Sequence, residues 1–300
     1  MSGHRALDLY AGTGWGVAIQ RLGAQEHGVE IMPEAIATRE ANGMETVYTD
    51  VWDAHLAEDL EFDTLIASPP CQAYSAAGKG AGRKALDDVL ETLERLTWMD
   101  LDDLREWSLA LGDERIGHVL VPLHYIWRFQ PDYVALEQVP TVLPVWKAYI
   151  PHLEEMGYSV HVSVMRSEQY GVPQTRRRAI LMARKTHLGP VAPPIPTHSR
   201  YYERDPKRLD AGVLPWVSMA EALGSTDRPT DSPSGADSHG RRQRDGRMGA
   251  VWPAGASGDL EFALVSNYSD GSTGERGRRM SDQPAPTITS KAERMKKEAA

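Results

Sequence analysis

"RALDLYAGTGWG", residues 5–16, decides the fold. Residues 5–10 alternate with the period of a strand, Gly12, Gly14 and Gly16 supply a tight turn, and "VAIQRLGA" (17–24) reads as a helix. Strand, glycine turn and helix open an α/β unit. Working outward, "GVEI" (28–31) predicts a second short strand, with a helix from Pro33 through Ala41. "FDTLIAS" (62–68) has the composition of a buried strand, and "DYVALEQV" (132–139), "YSVHVSVM" (158–165) and "RAILMARK" (178–185) add three more. Helical patterns at 119–129 and 143–158 lie between them. Strands alternating with helices predict a parallel, doubly wound sheet, whose ligands bind beyond the carboxyl ends of the strands.

The chain of 300 residues is 41% hydrophobic, enough for one large domain and a smaller appendage. Its single cysteine, Cys71, excludes an internal disulfide framework and a multi-thiolate zinc site. With no signal peptide and no long apolar span, a soluble cytoplasmic protein without membrane association is expected. The net charge of −9 is unevenly spread. Residues 1–150 carry 11 Lys and Arg against 24 Asp and Glu (−13), whereas residues 151–300 carry 22 against 18 (+4). Such asymmetry lets one part of a chain face a polyanion, although a solvated surface gives the same count. Much of the acidity sits in residues 85–107, where Leu86, Val89, Leu90, Leu93 and Leu96 recur at helical spacing and predict one exposed-faced helix. From about residue 186 proline and charge increase, "PWVSMAEALG" (215–224) is a short helix candidate, and residues 225–250 predict a disordered loop.

The candidate chemistry lies at the strand ends. The glycine turn lets the backbone approach a ligand, though an ordinary turn explains it equally well. Asp8, inside the strand, suits a positively charged amino acid group better than a pyrophosphate. Glu30 is placed for ribose hydroxyls, and Asp50 is a third acid at a strand end. Three acids around a glycine turn fit a nucleoside cofactor without phosphates. In "SPPCQAYS" (68–75), Pro69 and Pro70 lead the chain stiffly out of the sheet to Cys71. A lone cysteine there is either a small buried hydrophobe or a nucleophile. Glu137 ends an otherwise apolar strand, where a carboxylate is costly unless it is paired, capping or functional. Arg176 and Arg178 alternate out of a turn containing Gly171 and Pro173, an arrangement that by itself says only that an anion is nearby.

Taken in order, these segments resemble the cytosine-5 DNA methyltransferase family. "DLYAGTGW" is similar to its first motif (usually DLFAGxGG), "SPPCQAYS" to its PCQxFS, "LEQV" to its ENV, and "QYGVPQTRRRAIL" to its QxRxR motif. "PAPTIT" (284–289) resembles the segment before the ninth motif. The resemblance is strong over residues 5–185 and loose over 186–289. It implies a Rossmann-like methyltransferase sheet with a smaller, irregular target-recognition domain, S-adenosylmethionine as cofactor, double-stranded DNA as partner, and a restriction–modification or phage setting. Cys71 would be the nucleophile, Glu137 would hold the ring N3 and amine of cytosine, Arg178 would contact its carbonyl, and Arg176 would steady the thiol loop or a phosphate. Asp8, Ala11, Gly12, Gly14, Glu30, Asp50 and Pro70 would line the cofactor side.

The implied division is a catalytic domain over 1–185, a target-recognition region over 186–285 and a tail over 286–300. In that tail the family's ninth motif and the GNxV-containing tenth are not found. A monomer is expected, with a truncated relic, or one half of a split enzyme completed by a second chain, as the alternative. Within the motifs, Tyr10 and Tyr74 replace phenylalanines, Gln138 replaces the asparagine of ENV, and residues 81–115 exceed the usual length.

Overall fold

The computed structural model describes residues 3–74, 85–95, 100–200, 210–222, 263–265 and 278–280. Strand β1 (Arg5–Leu9) leads into α1 (Gly14–Arg21), followed by β2 (Gln25–Val29), α2 (Pro33–Ala41), β3 (Glu45–Tyr48) and β4 (Thr64–Ala67). Helices α3 (Leu86–Arg95), α4 (Leu101–Ala110) and α5 (Val121–Phe129) precede β5 (Tyr133–Gln138), and α6 (Leu143–Glu155) crosses to β6 (Tyr158–Arg166) and β7 (Arg177–Lys185). These seven strands form one sheet in the order β3-β2-β1-β4-β5-β7-β6. The chain leaves β1 towards β2 on one side, while β4 pairs in parallel on the other, so the strand order reverses between β1 and β4. That is the switch point at which an open α/β sheet presents a crevice.

Alternation along the strands explains both layers. Leu7 and Leu9 of β1, Leu65 and Ala67 of β4, and Leu136 of β5 face one side, where Tyr125, Ile126, Trp146 and Tyr149 of α5 and α6 cover them. Ala6 and Ile66 face the other side with Ile19 of α1. The centre of the sheet is therefore buried on both faces, which is why β4 and β5 read as nearly continuous apolar runs.

Four features differ from the sequence reading. The sheet is not wholly parallel, because β7 pairs antiparallel with β5. Residues 167–176, a 3-10 turn and a short irregular return, hold no crossover helix, and only a crossover could have kept the strand parallel. Strand β2 begins three residues earlier than the apolar pattern suggests, since Glu26 inside it has a buried cationic partner. The four-residue edge strand β3 ends at Tyr48, two residues short of Asp50, where the sequence reading placed the strand end. Finally, residues 85–107 hold two helices, α3 and α4, and the Asp100 side chain caps the second by accepting the Asp102 N–H at 2.8 Å.

The chain divides into two compact units, Met1–Met165 with Arg178–Pro194, and Arg166–Arg177 with Ile195–Ala300. In the second, Glu168 is buried, Gly171 (φ +78°) packs under His198, the helix expected at 215–224 is the single turn α7 (Met219–Ala222), and β8 (Ala263–Val265) pairs with β9 (Arg278–Met280). The expected loop at 225–250 and the tail at 286–300 lie outside the described residues. Among the described residues no helix is long and apolar enough to cross a membrane.

Candidate functional site

Strand β4 delivers its successor loop to the switch point. The Ser68 N–H donates to the Leu9 carbonyl at 3.2 Å, and the Trp15 indole donates to the Ser68 hydroxyl at 2.9 Å. Pro69 and Pro70 contribute only acceptors, and the Gln138 amide nitrogen takes both carbonyls, at 2.9 and 3.2 Å. Cys71 then opens a turn whose carbonyl accepts the Tyr74 N–H at 3.0 Å. Beyond it, Tyr74 is fully buried: its hydroxyl donates to the Ile116 carbonyl at 2.8 Å, and its backbone carbonyl accepts from the Thr141 hydroxyl at 2.9 Å. The half-buried thiol of Cys71 thus sits on a turn tethered at both ends. The sequence reading missed Gln138 as a contributor and saw only a departure from ENV. Its position beside Glu137, at the end of a buried strand, was the available signal.

Glu137 lies opposite Ile180 across the β5–β7 ladder, which puts Arg178, two residues back along β7, on the same face. Arg178 Nε is 2.5 Å from Glu137 Oε1, with both side chains less than one-fifth exposed. Such a charge-assisted contact fixes the carboxylate against the guanidinium plane. Cys71, Glu137 and Arg178 all belong to the first unit, whereas Arg176 belongs to the second. There its N–H donates to the buried Glu168 carboxylate at 3.3 Å and its carbonyl accepts the Ser167 N–H at 2.9 Å.

At the end of β1, Tyr10 (φ +61°) and Gly12 (φ +47°) turn the chain through the left-handed region. An added Cβ on Gly12 or Gly14 would meet nothing within 4 Å, so this turn has an open outer surface. Glu30, just past β2, accepts the Gly12 N–H at 2.8 Å with one oxygen and the Met32 N–H at 2.8 Å with the other. Each oxygen keeps a lone pair for an incoming hydroxyl. Ala11 is buried, with its N–H on the Val29 carbonyl at 3.0 Å. Asp50 accepts the Trp52 N–H at 3.1 Å.

Asp8 overturns its expected place. It is fully buried beneath the glycine turn rather than on its open surface. Its β2 neighbours are Gly28, directly across, and Glu26, two residues earlier on the same face. Burial first, and the Glu26 charge second, raise the Asp8 carboxyl well above the ordinary carboxylate range. Arg39 from α2 fills the space over Gly28, where an added Cβ would come within 1.9 Å of Nη2. Its guanidinium bonds Glu26 at 2.9 Å, the Gly12 carbonyl at 3.2 Å, the Glu45 carbonyl at 2.6 Å and the Thr46 hydroxyl at 3.1 Å. An acid-rich layer lies under the turn, and Arg39 joins it to the loop. The alternation of Glu26 and Gly28 in a strand was its only trace in the sequence.

The open turn and the doubly held Glu30 suit a nucleoside, while the described residues contain no group of three or more metal-ligating side chains.

A model of the C-5 cytosine-specific DNA methylase family matches residues 4–94 and 121–226. Among individual relatives, the type II methyltransferase M.AplI of Arthrospira platensis is 27% identical over 187 residues, covering 60% of this chain and 45% of its own. M.NlaX of Neisseria lactamica is 28% identical over 192 residues, covering 61% and 53%. The type II methylase M.HgiDII of Herpetosiphon aurantiacus is 30% identical over 178 residues, covering 55% and 47%. The chain spans about half the length of the curated relatives it matches. A solved DNMT2 variant from Spodoptera frugiperda shares 19% identity, with a TM-score of 0.47 over 76% of this chain and 61% of that one.

Proposed function

The chain belongs to the C-5 cytosine-specific DNA methylase family, and from that premise we propose that it methylates carbon 5 of cytosine in double-stranded DNA, through a covalent adduct at Cys71 and with S-adenosylmethionine as donor. The observation that carries this reading is the convergence of β4 and β5. Gln138 grips the Cys71 loop through both proline carbonyls, while the residue before it, Glu137, is clasped by Arg178.

Carbon 5 of cytosine is a weak nucleophile because its electrons belong to an aromatic ring. The Cys71 thiolate adds at carbon 6, forming a carbon–sulfur bond while the double-bond pair shifts towards carbon 5. Glu137 supplies a proton to N3 and accepts from the exocyclic amine, so negative charge does not accumulate on the ring. Arg178 fixes that carboxyl and has further N–H groups for the ring carbonyl. After methylation, a solvent base takes the carbon 5 proton, that electron pair re-forms the ring double bond and expels the thiolate, and N3 returns its proton to Glu137. A stacked base is out of reach of this machinery, so the cytosine is extruded from the duplex into the site.

For the cofactor, Glu30 takes the ribose hydroxyls, Gly12 and Gly14 offer open backbone, and Ala11, Asp50 and Pro70 close the sides. When bound, S-adenosylmethionine supplies an electrophilic methyl group. The second unit is assigned to target recognition, with Arg176 on a DNA phosphate; the relatives' type II names favour a restriction–modification role, for which a cytoplasmic place is proposed. The test is transfer of labelled methyl from S-adenosylmethionine into duplex DNA, with the product nucleoside identified by mass. The proposal expects 5-methylcytosine. A methyl group on an exocyclic amine, or no transfer by folded protein to any DNA sequence, would refute it.

A further inference from the structure

Residues 95–120 fall between the two stretches matched by the family. Part of that interval lies over the end of β3. An added Cβ on Gly117 would come within 2.8 Å of the Ser108 side chain and 3.5 Å of Trp52, so α4 and the 3-10 turn Glu114–Val119 pack closely together beside that indole. From α4, the Arg105 guanidinium lies 5.7 Å from the centre of the Trp52 ring. Its Nη1 is 3.6 Å from Asp50 Oδ2 and its Nε is 2.6 Å from Glu114 Oε1. From the turn, His118 packs on Trp52 at 5.1 Å and meets the Tyr10 hydroxyl at 3.0 Å. Tyr10 and Asp50 follow β1 and β3, the two strands flanking the one that presents Glu30.

Asp50 is held at both oxygens, by the Trp52 N–H and by Arg105. The one guanidinium faces both Asp50 and Glu114, so removing it takes away the positive charge that balances the two carboxylates and one of the two contacts that hold Asp50. We propose that Arg105 is a positioning residue for the base of the nucleoside cofactor: it holds Asp50 as an acceptor for the exocyclic amine of adenine. The interval outside the family match thereby contributes to this chain's cofactor selectivity. The inference rests on the cofactor reading above and adds to it a positioning residue. An acceptor carboxylate favours a base bearing an amine over one bearing a carbonyl at the same place, because the second leaves two acceptors facing each other.

The test is calorimetric titration of the full chain with S-adenosylhomocysteine and with its inosine counterpart. The unmodified protein should prefer adenine by about tenfold or more, the scale of one hydrogen bond to a charged group. Arg105→Met keeps the stem over Trp52 and removes the charge. It should weaken S-adenosylhomocysteine by about tenfold and cut the preference below about threefold, with Arg105→Lys between the two. In an Asp50→Asn background, Arg105→Met should cost nothing further. Unchanged affinity and preference in Arg105→Met, or a loss that adds fully to that of Asp50→Asn, would overturn the inference. Failure of the unmodified chain to bind either nucleoside would overturn the cofactor reading instead, so the two failures are separable.

Discussion

Gln138 Nε2 lies 2.9 Å from the Pro69 carbonyl and 3.2 Å from that of Pro70, so one buried amide spans the gap between β5 and the loop bearing Cys71. Removing it leaves two carbonyls without their donor and frees the loop from the strand that carries Glu137. Gln138→Ala should lower the rate of methyl transfer by about a hundredfold, as expected for a displacement of roughly 1 Å at the reacting atom. It should also destabilise the fold by about 1–3 kcal/mol. Single-turnover kinetics and thermal unfolding measure the two effects. A rate within threefold of the parent would show that the loop holds itself.

Arg39 and Glu26 form an ion pair with neither side chain exposed to water. Breaking such a pair strands a buried charge, so Arg39→Met should cost about 3–5 kcal/mol in denaturant unfolding. Gly28→Ala should also be strongly destabilising, because its methyl group would enter the guanidinium. If both variants unfold like the parent, the cluster under the glycine turn is not what holds it.

Asp8 gives a prediction with a definite sign. Its native carboxyl titrates well above 3.8, so in the native state the neutral form is favoured. Below pH 3.8 that preference costs nothing. As pH rises towards the native value, the unfolded chain sheds a proton that the native chain retains, and stability falls. Asp8→Asn is nearly the same shape, carries no charge, and offers a donor to Glu26. Its stability should exceed the parent's at pH 7, with the margin shrinking as pH falls to 4. A margin that grows on acidification would contradict the burial argument.

His118 behaves in the opposite sense. Burial lowers its imidazole from 6.5 to about 4, outweighing the nearby Glu114 and Asp50 charges. Between those values the unfolded chain binds a proton that the native chain does not, so stability falls as pH drops through that window. The slope is at most about 1.4 kcal/mol per pH unit. His118→Gln should flatten the acid limb of a stability–pH curve, and an unaltered limb would assign it to other groups.

Much of the fold was legible because its signals are local. The glycine turn after β1, the proline pair after β4 and the apolar run of β5 each announce a strand end without help from the rest of the chain. Glu137 drew notice for a related reason, since an acid at the end of an apolar strand needs an explanation, and Glu30 because it follows the second strand of an α/β unit. What escaped depends on contacts between residues distant in sequence. Arg39 and Glu26 are 13 positions apart and look like ordinary surface charges. Arg105 and Asp50 meet only because α4 docks beside Trp52. The reversal of β7 depends on how the chain returns after β6, which neither composition nor periodicity records.

The central claim is that Cys71 bonds covalently to a cytosine while Glu137 and Arg178 hold the ring. A duplex containing 5-fluorocytosine at target positions blocks the final proton loss and leaves the adduct in place. Incubated with this DNA and S-adenosylmethionine, the chain should form a denaturant-resistant complex of one protein per target strand. Cys71 is the only cysteine, so peptide mass mapping locates the bond without ambiguity. Cys71→Ser should form none, and Glu137→Gln should form it at least about a hundredfold more slowly. A folded chain that methylates DNA yet yields no adduct, or a Cys71→Ser variant that crosslinks as well as the parent, would contradict the account.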